Sequence, residues 1–258
     1  MTKFIAIIPA RYASTRFPGK PLADLGGKPV IQHVVEQAQK VLDRVVVATD
    51  DRRIADCVDS FGGEAVMTSP DHRCGTDRVL EAHTILGKPA DVIINVQGDE
   101  PFIDPSQIEA LMKCFDNPGT DIATLARKFD PALGFEALFD PNLVKVIFGK
   151  DGRALYFSRS IIPYVRTVEY TKWLETATFH THVGIYAYKA DVLEKISALP
   201  QSPLEKAESL EQLRWLENGY NIKVALTDCA TIGIDTPADL EAARRFLDQK
   251  EHGTLPKE

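Results

Sequence analysis

Three cations, Arg11, Arg16 and Lys20, fall within one short segment, Ile7 to Leu22 (IIPARYASTRFPGKPL). An apolar run, Phe4-Ile5-Ala6-Ile7-Ile8, stops at Pro9 just before them, and a stretch of helical spacing follows. A cationic loop between a buried strand and a helix is where α/β proteins place an anionic ligand. Cations alone fit a solvated basic loop equally well. The small residues Ala10, Ala13, Ser14 and Gly19 shift the reading toward a site, because they let backbone N–H groups approach a ligand. Pro9 and Pro18 stiffen the loop around it.

The carboxylates that could complete such a site lie far away in the chain. Asp99 follows the strand-like run Val92–Val96, in Gln97-Gly98-Asp99-Glu100-Pro101. A carboxylate just beyond a strand's carboxyl end, facing a cationic loop, suits a Mg²⁺–triphosphate site. Asp235, in Gly233-Ile234-Asp235-Thr236-Pro237, is a candidate second ligand. Spacing alone favours a helix-start residue bonded to nearby amides for Asp235, and a similar structural role for Glu100 before its proline.

Other chemistries find little support. GxGxxG is missing after the first strand, although Asp50 stands where a dinucleotide-binding fold places its ribose acid. Gly19-Lys20 is followed by Pro21 where a P-loop needs a hydroxyl, so the loop must bind anions mainly through its cationic side chains. The six histidines lack metal spacing. His180 and His182 would share a strand face, and two are too few for a catalytic metal. No GxSxG occurs, and Cys74 beside Gly75 has no evident partner base.

The elements that must hold these residues read as an α/β protein. Val30, Ile31, Val34, Val35, Ala38 and Val41 recur at helical spacing, Val45–Thr49 is a buried strand, Arg53–Phe61 a helix and Ala65–Met67 a strand. This β-α-β-α-β order predicts a parallel sheet with right-handed crossovers. A helix is predicted over Asp77–Ile85, a strand over Val92–Val96, a helix over Ser106–Phe115 and a strand over Ile122–Ala126. Val144–Phe148 and Ala154–Phe157 flank Gly149-Lys150-Asp151-Gly152 as a β-hairpin. Ser158–Thr178 reads as irregular, a lid or dimer-forming excursion. Val183–Lys189 is a strand, Glu205–Asn218 one helix stopped at Gly219, and Ile222–Leu226 a strand. Thr236 caps a last helix whose first residue is Pro237 and which ends near Lys250. The tail after it reads as disordered.

Composition excludes several classes. A chain of 258 residues with no apolar run near 18 residues has no membrane-spanning helix. A net charge of −7 argues against general nucleic-acid binding. Cys57, Cys74, Cys114 and Cys229 form no CxxC pair, so reduced thiols and a cytoplasmic location are expected. The N-terminus reads as a first strand and not as a signal peptide.

Taken in order, IPARYASTRFPGKPL, VATDD, DHRCGTDR, NVQGDEP, VKV, ALYFSRSIIP, HVGIYAY, ESLEQLR and GIDTP resemble the 3-deoxy-manno-octulosonate (Kdo) cytidylyltransferases, or CMP-Kdo synthetases, over almost the whole length. The resemblance implies a single glycosyltransferase-A-like, Rossmann-like domain of mixed sheet over residues 1–250. It makes 144–189 a small dimerisation or lid excursion and 251–258 a disordered tail. It implies a cytoplasmic homodimer that uses Mg²⁺, CTP and Kdo to make CMP-Kdo and pyrophosphate for lipopolysaccharide or capsule. Another sugar acid (8-amino-Kdo or a sialic acid), or a non-catalytic nucleotide-binding relative, stays as an alternative. By resemblance Arg16, Lys20 and Asp99 carry catalysis, and Arg11, Ser14, Arg16, Lys20, Gly75, Thr76 and Gln97 hold the nucleotide. Arg78, Gln97, Arg159, His182, Tyr186, Glu211 and Gln212 meet the sugar, and Asp99 and Asp235 the metal. Two departures stand out: Cys74 replaces a usual serine, and Thr181 replaces a frequent basic residue before the matched histidine.

Overall fold

The computed structural model describes residues 2–72, 74–229 and 232–251. In chain order the elements are β1 (Phe4–Ala10), β2 (Asp24–Leu25), β3 (Lys28–Pro29), α1 (Val30–Ala38), β4 (Val45–Thr49), α2 (Arg52–Ser60), β5 (Glu64–Met67), α3 (Gly75–Ile85), β6 (Val92–Asn95) and α4 (Pro105–Lys113). Then come β7 (Ile122–Lys128), β8 (Lys145–Phe148), β9 (Ala154–Ser158), α5 (Trp173–Thr176), β10 (His180–Lys189), α6 (Ala190–Ser197), α7 (Pro203–Glu208), α8 (Glu211–Glu217), β11 (Ile222–Leu226) and α9 (Pro237–Glu251). Contacts gather these into two compact units, one from residues up to Ile108 together with those after Cys229, the other Glu109–Cys229.

The first unit carries four parallel strands in the order β6-β1-β4-β5, with Ala6 level with Val45, Phe4 with Val92 and Val46 with Glu64. Ile5–Ile8 and all of β4 are buried, as parallel strands covered on both faces must be. The chain steps outward from β1 to β4 and β5, then returns to the other side of β1 as β6. That reversal makes the carboxyl ends of β1 and β6 a topological switch point, where open α/β sheets bind ligands.

β1 does not stop at Pro9 but runs to Ala10. β6 pairs with β1 only as far as Ile7, so past that point the ladder is to β4 alone and a residue without an N–H is tolerated. α1 buries Val30, Ile31, Val34, Val35 and Ala38, the stripe its spacing predicts. α2 opens on Asp51, whose carboxylate accepts from the Arg53 amide at 2.9 Å. α3 begins at Gly75, two residues before the expected start, so Gly75 and Thr76 are its first turn and not loop. α9 begins as predicted. The Thr236 hydroxyl accepts from the Asp239 amide at 3.2 Å, and Asp239 Oδ2 accepts from the Thr236 amide at 2.8 Å, a reciprocal cap. Just before it, Ile234 is buried against Leu25, Val30, Leu240 and Ala243. Apart from Glu251, which ends α9, the expected tail lies outside the described residues.

The second unit is built on β7, which pairs parallel with β11 and antiparallel with β10. β8 joins β10 through Thr181 and Lys145 and forms the predicted hairpin with β9. The two directions of pairing make the sheet mixed. Ser158–Thr178 has little regular structure. Trp173 within it packs with Phe129, Leu138 and Phe179 into a separate small core, so aromatics hold this stretch where hydrogen-bonded elements do not.

One expected helix is two. Glu205–Asn218 divides into α7 and α8 at Ser209, which adopts the left-handed conformation (φ 51°, ψ 48°). The cause is local. Ser202 and Glu205 form a capping box that starts a short helix at Pro203, and the turn at Ser209 and Leu210 then restarts the chain. Arg159 seals the break, donating from Nε to the Glu208 carbonyl at 2.6 Å and from Nη2 to the Ser209 carbonyl at 3.3 Å.

Candidate active site

In the first unit a cavity of about 270 Å³ opens at the switch point. The loop after β1 gives it Arg11, Ser14, Arg16, Lys20 and Pro21, and the turn after β6 gives Gln97, Gly98 and Asp99. His72 and Cys74 come from just before α3, Gly75 and Arg78 from its first turn, and Asp235 from the segment before α9. Lys20 is the centre of its charge. Its Nζ lies 2.6 Å from Asp99 Oδ2 and 3.3 Å from Asp235 Oδ1, and Arg16 Nη2 lies 3.2 Å from that Asp235 oxygen.

Backbone geometry makes these meetings possible. The Asp99 carbonyl accepts from the Ile234 amide at 2.9 Å, which brings residues 135 apart in sequence side by side. The buried Ile234 side chain fixes that segment to the core. Asp235 thus stands just before a helix start with its carboxylate in the cavity on Lys20 and Arg16, while Asp239 and Thr236 take the amides at the start of α9. Gly98 passes so close to β1 that a Cβ there would stand 2.9 Å from the Pro9 carbonyl oxygen. Gly98→Ala should therefore displace Asp99 and cost about 1–3 kcal/mol in folding. Urea unfolding and kcat measured together check this, and a variant normal in both would show that the turn has slack.

The cationic loop is shaped by an aromatic that the sequence did not single out. The Tyr12 carbonyl accepts from the Gly19 amide at 2.9 Å, and Gly19 takes φ 72° to make the turn. The Tyr12 ring carries the Arg53 guanidinium 3.4 Å from its centroid, and Arg53 is held in turn by Asp51 through bonds of 2.9 and 2.6 Å. Arg78 is 4% exposed; its Nη1 donates to Thr68 Oγ1 at 2.6 Å and its Nη2 to Asp50 at 3.1 Å. Asp50 therefore pairs with an arginine of the cavity wall. His72, also not singled out beforehand, bonds Glu81 at 2.5 Å. Thr76 is buried and does not line the cavity, whereas Gly75 does. Burial, with the Asp99 charge beside it, pushes the Glu100 carboxyl up to about 7, and Glu100 does not line the cavity either.

In the second unit the His182 ring lies 5.0 Å from that of Phe157 and 5.4 Å from that of Tyr186. Tyr186 stands edge-on to the buried Trp215 at 5.1 Å. Gln212 is 5% exposed in the first turn of α8, and Glu211 accepts from Arg214 at 2.7 Å. Arg159 has its third donor, Nη1, on the Pro141 carbonyl at 2.8 Å. Each guanidinium nitrogen thus spends one of the five N–H groups within the protein.

The description of the cytidylyltransferase family matches residues 5–223. A 3-deoxy-manno-octulosonate cytidylyltransferase of Phocaeicola vulgatus is 61% identical over 249 residues, 96% of this chain and 99% of its own. The chain belongs to the 3-deoxy-manno-octulosonate cytidylyltransferase family. The counterpart in Parabacteroides distasonis is also 61% identical, over 96% of this chain and 99% of that one. Among solved structures, CMP:2-keto-3-deoxy-manno-octonic acid synthetase complexed with CTP superposes with TM-score 0.89 at 46% identity, covering 96% of this chain and all of that one. A cytidylyltransferase of Leptospira borgpetersenii shares the fold alone, at 16% identity and TM-score 0.61 over 98% of this chain and 96% of that one. No helix of the described residues is long and apolar enough to cross a membrane.

For this cytidylyltransferase the donor set can be tested against Mg²⁺. Among the described residues no three of His, Cys, Asp and Glu are placed to share a metal. Two carboxylates do converge, and they already hold a cation, the Lys20 ammonium, between them. Two carboxylates, with the remaining positions left to phosphate oxygens and water, fit Mg²⁺ and not a metal that needs nitrogen or sulfur.

Burial also gives this family member a testable acid sensitivity. It pushes the His182 imidazole down to about 3, from an ordinary 6.5. Between those values the unfolded chain holds a proton that the folded one lacks, so stability falls as pH drops through this window. In His182→Gln the loss of stability between about pH 7 and about pH 4, read from urea midpoints, should be smaller than in the parent. An equal loss would show that His182 protonates freely in the fold.

Proposed function

We propose that this protein transfers CMP from CTP to 3-deoxy-manno-octulosonate, releasing pyrophosphate. The observation that carries the reading is the meeting of Arg16, Lys20, Asp99 and Asp235 in one cavity at the switch point, in a chain this similar to named Kdo cytidylyltransferases. The anomeric hydroxyl of the sugar acid attacks the α-phosphorus in line with the departing β-phosphate oxygen. One phosphorus–oxygen bond forms as another breaks, and positioning and charge stabilisation supply the acceleration. Arg16 and Lys20 offset the charge growing on the β- and γ-phosphates. Arg11, Ser14, Gly75 and Gln97 hold the nucleotide. Asp99 and Asp235 would hold Mg²⁺, which when bound neutralises phosphate charge and makes the attacking hydroxyl more acidic.

Arg78, Gln97, Arg159, His182, Tyr186, Glu211 and Gln212 are proposed for the sugar side. Arg159 keeps a second N–H on each of Nη1 and Nη2 beyond its three carbonyl bonds, and these are offered to the sugar carboxylate. The neutral His182 suits a sugar hydroxyl. We further propose that residues 1–250 act as one nucleotidyltransferase domain and that 144–189 form the homodimer contact or a lid. The enzyme would work in the cytoplasm to supply lipopolysaccharide or capsule synthesis. Purified protein with CTP, Mg²⁺ and, separately, Kdo, 8-amino-Kdo or a sialic acid tests the reaction. Pyrophosphate release with Kdo, at a kcat/KM well above the other two, is expected. Release only with sialic acid, or CTP binding without turnover, would overturn it.

A further inference from the structure

We propose that Thr124 is a positioning residue that holds His182 as the tautomer protonated on Nε2, leaving Nδ1 as a hydrogen-bond acceptor that takes a hydroxyl of the sugar acid and rejects its carboxylate. The inference deepens the reading of His182 as a sugar-side residue and rests on it.

The irregular pairing of β10 with β7 sets the geometry. Val183 is level with Leu125, yet Tyr186 is level with Thr124. β10 advances three residues while β7 advances one, so Gly184 and Ile185 are extra. The bulge brings two carbonyls to one hydroxyl. Thr124 Oγ1 lies 2.8 Å from the Ile185 oxygen and 3.3 Å from the Val183 oxygen, and 2.9 Å from His182 Nε2. Thr124 is fully buried, so water cannot relieve a mismatch there.

Counting protons leaves one arrangement. A hydroxyl has one hydrogen and two lone pairs, and carbonyl oxygens only accept. The Thr124 hydrogen must go to the Ile185 oxygen, the nearer of the two carbonyls at 2.8 Å. If it went instead to His182, two oxygens would face each other at 2.8 Å with no hydrogen between them. Nε2 therefore carries a hydrogen and donates it to Thr124 Oγ1. The rings of Phe157 and Tyr186 contact the imidazole and limit its turning. Burial that holds the ring neutral leaves Nδ1 with its lone pair. An acceptor attracts a hydroxyl and repels a carboxylate, so the sugar's charge must be read by other residues.

Protein labelled with ¹⁵N on histidine tests the tautomer by long-range proton–nitrogen spectra, with the His182 signals assigned by their absence in His182→Ala. Wild type should show a pyrrole-like Nε2 and a pyridine-like Nδ1. Thr124→Val should mix the tautomers and raise KM for Kdo about tenfold with KM for CTP unchanged. Thr124→Ser, which keeps the hydroxyl, should restore both. A wild-type Nδ1 that carries the proton, or a Thr124→Val protein with wild-type spectra and KM, overturns the proposal. The wild-type spectrum decides even if Thr124→Val folds poorly. A failure of the sugar-side reading is separate: His182→Ala would then leave KM for Kdo unchanged, whatever the tautomer.

Discussion

Asp99→Ala is expected to lower kcat by about 10³-fold or more, on the scale of losing a metal ligand or a principal charge stabiliser, with little change in folding stability. The Asp99 side chain is one-third exposed and faces the cavity, so no core packing is lost. Its backbone carbonyl keeps the bond from the Ile234 amide. Lys20 keeps Asp235 as a partner at 3.3 Å, so no cation is stranded. Rates and urea midpoints for Asp99→Ala and Asp99→Asn check the claim. The asparagine variant keeps the shape without the charge and should be nearly as slow. Near-normal turnover in either would remove the Asp99 charge from the mechanism.

Lys20→Met should cost about 10² to 10³-fold in kcat, because the transition state loses a cation placed on the leaving phosphates. Its effect on the free protein should run the other way. Lys20 sits between Asp99 and Asp235 where a metal would sit. Removing a unit charge about 3 Å from both carboxylates should tighten metal binding roughly tenfold, even at the high dielectric of an open cavity. Mn²⁺ titration without nucleotide, followed by electron paramagnetic resonance, reads this directly. Binding that is unchanged or weaker would show that Lys20 does not compete with a metal. The pair of results would also imply that nucleotide entry draws Lys20 off the carboxylates and onto phosphate.

The strands were legible because their burial is continuous. Phe4–Ile8, Val45–Thr49 and Val92–Val96 read as strands, the last one residue longer than β6, and they form the parallel core around which the cavity is built. Arg11, Arg16, Lys20 and Asp99 could be placed on its rim from loop position alone, since strand ends at a switch point are geometrically defined. Asp235 could not be decided from spacing, because a helix-start carboxylate and a cavity carboxylate look alike until the Ile234–Asp99 backbone bond is seen. The break at Ser209 leaves no glycine or proline to mark it, and the leucines at 210, 213 and 216 carry a helical period right up to its far side, so α7 and α8 read as one helix. Tyr12 and His72 gave no signal of their own. Their roles depend on Arg53 and Glu81, which only the folded chain brings to them.

The first compact unit is not one continuous stretch, since residues after Cys229 return to it and carry Asp235. This has a consequence for the order in which the protein is made. A nascent chain that has left the ribosome as far as α4 already holds Arg16, Lys20 and Asp99, yet its cavity lacks one carboxylate and the Ile234 strap. The entire second unit must be synthesised before that segment arrives. On the proposed role of Asp235, a chain cut short before Ile234 docks should carry most of the first unit's cavity and lose most of its turnover.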